Sequence, residues 1–145
     1  MATTAEIDLL DRLARTCLAG ARCYRDAADQ ATRDSLVHLL ERRASELSAA
    51  ASELRALAGH GADALASTDE AGVPRAAGST PASGDAARLD ACERAEDAAM
   101  SIYLAALDQP LDPALRAVVE RQYDTIKHAH GEIRALREQV REHLP

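Results

Sequence analysis

Apolar side chains in residues 89–108, LDACERAEDAAMSIYLAALD, recur at alternating steps of three and four. Leu89, Cys92, Ala99, Tyr103 and Ala106 follow that spacing, and Glu96 takes the remaining place in the series. Steps of three and four put all six side chains on one face of a helix. The stretch therefore demands a helix with a buried seam. An ionised carboxylate is costly to bury alone, so Glu96 is neutralised by a cation, bound to a metal, or placed at the wet end of the core.

The same spacing runs through three other stretches. Residues from about 4 to 29 carry Ile7, Leu10, Ala14, Cys17, Ala21, Tyr24 and Ala28. Residues from about 33 to 58 carry Leu36, Leu40, Arg43, Leu47, Ala50, Leu54 and Leu57. Residues from about 113 to 143 carry Leu115, Val119, Gln122, Ile126, Ala129, Ile133, Leu136 and Val140. The third helix is expected over about 85–108. Turn chemistry agrees with these limits. Thr3 and Glu6 fit a capping box, Thr32 suits the N-cap of the second helix, and Gly59 and Gly61 stop it. Asp85 can cap the third helix and Gln109-Pro110 ends it. Asp112 followed by Pro113 starts the fourth.

Residues 59–84, GHGADALASTDEAGVPRAAGSTPASG, lose the periodicity and gather Gly, Pro, Ser and Thr. They read as a linker, with at most a short helical turn at 62–66. It is long for a loop and too small for a second domain, so it is a crossover connection or a mobile segment. Residues 1–145 are thus read as one all-α domain, an antiparallel four-helix bundle with a long linker between helices 2 and 3. Short turns make the first pair and the last pair of helices each an antiparallel hairpin.

The chain has no Phe or Trp and three Tyr, so Leu, Ala, Val and Ile must build the core. A net charge of −7 without a basic stripe argues against nucleic acid as a partner. No apolar run approaches the ~20 residues needed to span a bilayer. No basic-then-apolar signal segment opens the chain. A cytoplasmic protein without membrane contact is expected. The three cysteines show no CxxC spacing. Cys17 and Cys92 lie on apolar stripes and read as buried free thiols. Cys23 lies off the stripe and reads as more exposed.

Three seam positions are polar: Arg43, Glu96 and Gln122. If the linker returns the chain to the starting end, Glu96 lies at the level of Cys17 and near residues 124–126, and the three polar residues gather mid-bundle. One reading is a buried polar network. Arg43 offers Glu96 a fixed fork, Gln122 takes the remaining hydrogen bonds, and the pair fixes register more than it adds stability.

The other reading is a metal site. Ferritin-like bundles place a Glu on each of two helices and Glu-x-x-His on each of the other two. Here Glu93 and Glu96 lie on the third helix, Glu46 on the second, and Asp124, His128 and His130 on the fourth. The pattern is incomplete. The first helix offers only Cys17, Gly20 and Ala21 at the expected level. Glu46 is followed three residues later by Ala49, and Asp124 and His128 are four apart. A mononuclear site from Glu96, Glu93 and His128 or His130, with Glu46 as a further candidate, is what remains. His128 and His130 are two apart and point about 200° from each other.

CERAEDAAMSIYLAAL, a Pro-bounded turn and then LRAVVERQYDTIKHAHGEIRALRE resemble a bacterial four-helix-bundle family of unknown function, classed with the ferritin-like proteins. Its third helix reads like E-C-E-R-G-E-D-x-A-x-x-x-Y, matched by Cys92, Glu93, Arg94, Glu96, Asp97, Ala99 and Tyr103. Its fourth carries a Gln and later H-D-x-I-x-x-L-R. Gln122, His130, Ile133, Leu136 and Arg137 match, and Gly131 replaces the Asp. Gly20 and Tyr24 match its D-G-x-x-G-Y segment, from which Ala19 and Cys23 depart. A His-Arg-x-x-Trp stretch usual before the third helix is missing here. The resemblance implies a ferritin-like fold and no established activity.

Three functions compete. The preferred one is a non-catalytic bundle acting through protein contacts, as a homo-oligomer or with a protein partner, with no cofactor. The alternative is a ferritin-like protein that binds a divalent metal ion (iron, manganese or zinc), with an oxidase or metal-handling role. The third is a redox sensor using Cys17, Cys23 or Cys92. No phosphate-binding loop and no Ser-His-Asp or Cys-His arrangement points to another chemistry.

Overall fold

Four amphipathic stretches become four helices because each has a stripe to bury and a chemical signal at its start or end. The computed structural model describes residues 2–59 and 84–142. It contains α1 (Thr4–Gln30), α2 (Asp34–Leu57), α3 (Asp85–Leu107) and α4 (Pro113–Glu142). There is no strand among the described residues. No helix among them is long and apolar enough to cross a membrane. The turn expected at 62–66 and most of the linker lie outside the described residues.

The start of α1 is a capping box: Glu6 N–H donates to the Thr3 hydroxyl at 3.1 Å, and Thr3 N–H donates to Glu6 Oε1 at 2.9 Å. The other Glu6 oxygen accepts from the Asp112 N–H at 2.8 Å, tying α1 to the turn between α3 and α4. The backbone donors of Thr3 and Asp112 hold Glu6 below the usual carboxylate range. Asp112 also accepts from Ala114 N–H at 3.1 Å, so Pro113 opens α4 under its cap. Past the end of α2, Gly59 takes φ +84°, a conformation that favours glycine.

Two expected caps are corrected. Arg33, not Thr32, is the N-cap of α2, and Gly84, not Asp85, is that of α3. Thr32 instead donates to Asp85 through its hydroxyl at 3.1 Å and its N–H at 3.4 Å. The physical reason is proximity: the α1–α2 turn and the start of α3 share one end of the bundle, so the two side chains satisfy each other.

That contact also sets the topology. α1 pairs antiparallel with α3, since Cys17 meets Tyr103, Tyr24 meets Glu96 and Thr32 meets Asp85. α2 ends at the far end, where Arg55 pairs with Asp11 at 3.4 Å. The connection between α2 and α3 therefore joins opposite ends of the bundle. Around the square the helices run α1, α2, α4, α3, and the α2/α4 edge is the loosest of the four. α3 does not start beside the start of α1, so the condition that would level Glu96 with Cys17 is not met. Glu96 lies opposite Tyr24, about two turns from Cys17 along α1.

Residues of all four helices meet in one hydrophobic core. Every α3 seam position is buried, Glu96 included. On the other helices Ile7, Ala50, Leu57 and Leu136 are only half-buried, while Leu13, Ala44 and Ala51 are buried. Alanine allows the close approach of α1 to α2, and Gly20 extends it. A Cβ built at Gly20 would stand 3.1 Å from Leu47 Cδ1.

Candidate functional site

Glu96 on α3 and Arg43 on α2 are 3% and 5% exposed and face each other across the core. Arg43 Nε donates to Glu96 Oε1 at 2.9 Å, and the Tyr24 hydroxyl donates to the same oxygen at 2.5 Å. Arg43 Nη1 donates to Glu46 at 2.9 Å. A cation and a phenol thus answer the acid in the seam, and a second carboxylate, Glu46, pairs with the same cation. Burial pulls the Arg43 pKa down, but the bond to Glu96, with Tyr24 and Glu46 behind it, outweighs that and raises it. Burial, then the Glu96 charge, pushes Tyr24 well above its ordinary value, so the phenol keeps its proton and donates it.

Gln122 is buried but touches neither Arg43 nor Glu96. The Tyr103 hydroxyl donates to Gln122 Oε1 at 2.7 Å and lies 3.0 Å from Cys17 Sγ, which is left to donate to the phenol oxygen. Gln122 Nε2 donates to Glu53 at 2.8 Å and to the Ala50 carbonyl at 3.3 Å. The expectation that Gln122 completes the Arg43–Glu96 network is corrected. The short turn between α3 and α4 sets the register of that hairpin, and it brings Tyr103, not Glu96, within reach of Gln122. Burial pushes the Cys17 thiol up to about 11 and raises Tyr103 as well.

Of the metal-ligand candidates, Glu93 and His130 come together. His130 Nε2 lies 3.9 Å from Glu93 Oε1 and 2.6 Å from Asp97 Oδ1. One ligand atom from each of Glu93, Asp97 and His130 lies within 4.8 Å of the others. Glu93 is buried, His130 half-buried and Asp97 exposed. Arg137 pairs with Glu93 and, at 3.0 Å, with Asp90. The other candidates stand apart: Glu96 points into the core, Glu46 pairs with Arg42 and Arg43, and His128 is exposed beside Glu132 at 3.1 Å. Asp97 was the missing partner. The signal for it is its place four residues after Glu93, which puts both carboxylates on one helix face.

The donor chemistry separates the two places. Around Glu96 stand a guanidinium and a phenol that already donates, so a cation there would face Arg43 and lack further ligands. Around His130 stand two carboxylates and an imidazole, a set suited to zinc, manganese or iron. Arg137 competes for Glu93.

The loose α2/α4 edge holds two adjoining clefts of about 350 and 400 Å³. Arg43 and Glu46 line both, and Leu39, Leu47, Ile126 and Ile133 form apolar stretches of their walls. Arg121 pairs with Glu53 and Arg42 with Glu132 across this edge. Compared with protein-family models and with curated protein sequences, the chain has no match.

Proposed function

We propose that this chain is a non-catalytic ferritin-like bundle that acts through protein contacts, with a second copy of itself as the first partner. The observation that carries this reading is the Tyr24–Glu96–Arg43 cluster. Its internal ion pair already engages the seam carboxylate of α3, which supports a structural rather than a metal-binding role for Glu96. One long connection between α2 and α3, joining opposite ends, supports the ferritin-like assignment. A fold of this kind implies no reaction by itself.

The α2/α4 edge favours a second copy over an unrelated acidic or basic partner. The chain carries −7 overall, so most of its surface repels another copy. Along this edge Arg42, Arg43 and Arg121 nearly balance Glu46, Glu53, Asp124 and Glu132. A surface with both signs interleaved can complement itself about a two-fold axis. Sedimentation velocity of the full chain at tens of micromolar tests this: a dimer is expected. Ala49→Arg, on an exposed residue of the edge, is expected to return it to monomer without changing the helical signal. A strict monomer across that range refutes the reading.

A second reading rests on the Glu93–Asp97–His130 cluster, which would hold a divalent cation on the α3/α4 face. Titration with zinc or manganese, followed calorimetrically, is expected to show about one ion per chain, lost in His130→Ala. No heat and no retained metal in protein purified without chelator remove it.

A further inference from the structure

Cys23 on α1 and Cys92 on α3 bring their sulfurs to 3.9 Å, from positions 69 residues apart. Neither is bonded to another cysteine. The two are unequal. Cys92 is fully buried, whereas Cys23 is half-buried at the edge of the α1/α3 interface. Cys17 is buried too, and its sulfur faces the Tyr103 hydroxyl instead of another thiol. One reachable thiol beside one sheltered thiol is the arrangement of an attacking and a resolving cysteine.

We propose that Cys23 and Cys92 form a peroxide-oxidisable dithiol that reversibly links α1 to α3. This goes beyond the contact-bundle reading and stands without it. The contact with Cys92 holds Cys23 below the usual thiol range, and the same contact, with burial, raises Cys92. The more acidic thiol is therefore also the more accessible one. The Cys23 thiolate attacks one oxygen of hydrogen peroxide, the O–O bond breaks, and Cys23 becomes a sulfenic acid while hydroxide leaves. The Cys92 sulfur then attacks the Cys23 sulfur. The S–O bond breaks, the S–S bond forms, and the Cys92 proton leaves with that oxygen as water. Two thiols and one peroxide give one disulfide and two waters. Closing the sulfurs to about 2.05 Å requires a shift of roughly 2 Å, on the scale of a side-chain rotation.

The test treats the full chain with equimolar hydrogen peroxide under native conditions. Free thiols are expected to fall from three to one, with non-reducing peptide mapping joining Cys23 to Cys92. The thermal midpoint is expected to rise by about 5–10 °C, because the link closes a long loop. Dithiothreitol should restore all three thiols. Cys92→Ala is expected to accumulate a dimedone-reactive sulfenic acid at Cys23. Cys23→Ser, a change at a half-buried position, is expected to keep both remaining thiols through the same treatment. Three surviving thiols in the native wild-type chain overturn the proposal. So does a bond through Cys17, or a Cys23–Cys23 link between chains without the internal one.

Discussion

Two polar layers cross the interior of this bundle, and they solve the same problem by different means. One is charged: Glu96 accepts from Arg43 and Tyr24, and Arg43 also reaches Glu46. The other is centred on neutral groups: Cys17, Tyr103 and Gln122 pass hydrogen bonds along a line that ends on Glu53 and a backbone carbonyl. Each contains a tyrosine, one from α1 and one from α3, whose ring fills the core while its hydroxyl serves the polar group. The charged layer is the more exacting of the two. Losing one partner there strands an ion, whereas losing one partner in the neutral layer strands a dipole. The charged layer therefore sets the register of α2 against α3, and the neutral layer can be altered at smaller cost.

The sharpest way to break this comparison is Arg43→Ala. It should destabilise the fold by about 3–5 kcal/mol in urea unfolding, because Glu96 stays buried without its cation. Arg43→Met with Glu96→Leu should recover most of that loss. If the single and double variants are equally unstable, the layer owes its stability to packing and the contrast fails. Tyr24→Phe should cost about 1.5–3 kcal/mol, the range for a bond to a charged group.

Alkali probes the neutral layer. Cys17 moves from an ordinary 9.0 to about 11 in the fold, so the unfolded chain releases this proton first. The stability linked to it is complete below pH 9 and is lost as pH rises through 11, by about 2 kcal/mol from Cys17 alone at the upper limit. Tyr24, Tyr103 and Cys92 shift in the same direction. Urea midpoints that stay flat from pH 8 to 11 would contradict this. Tyr103→Phe should cost only about 1 kcal/mol, visibly less than Tyr24→Phe, since its partners are neutral. Outside both layers, Leu104 is 48% exposed, and Leu104→Gln should change stability by less than about 0.5 kcal/mol.

The bundle was legible from spacing alone. All six α3 seam residues are buried, and so are seven of the eight on α4. The Thr3–Glu6 box and the Asp112–Pro113 start are local devices and form as local devices should. Long-range polar contacts were not legible. Arg55 is buried against Asp11, although nothing in the spacing of α2 marks an arginine for the core. Thr32 and Asp85 each look like a cap, yet they bond each other. Asp97 joins His130 and Cys23 joins Cys92 only because two helices pass at one level.

Spacing of three and four determined that there would be four rods, which face of each would be dry, and that Glu96 would lie on such a face. Those are properties of one helix at a time, and side-chain direction along a helix follows from 3.6 residues per turn. The direction of α3 past α1 was decided only in three dimensions. It depends on which end of the bundle the chain re-enters after residue 59, and a stretch without periodicity does not encode that locally. That one choice put Tyr24 rather than Cys17 beside Glu96, and two thiols within reach of each other.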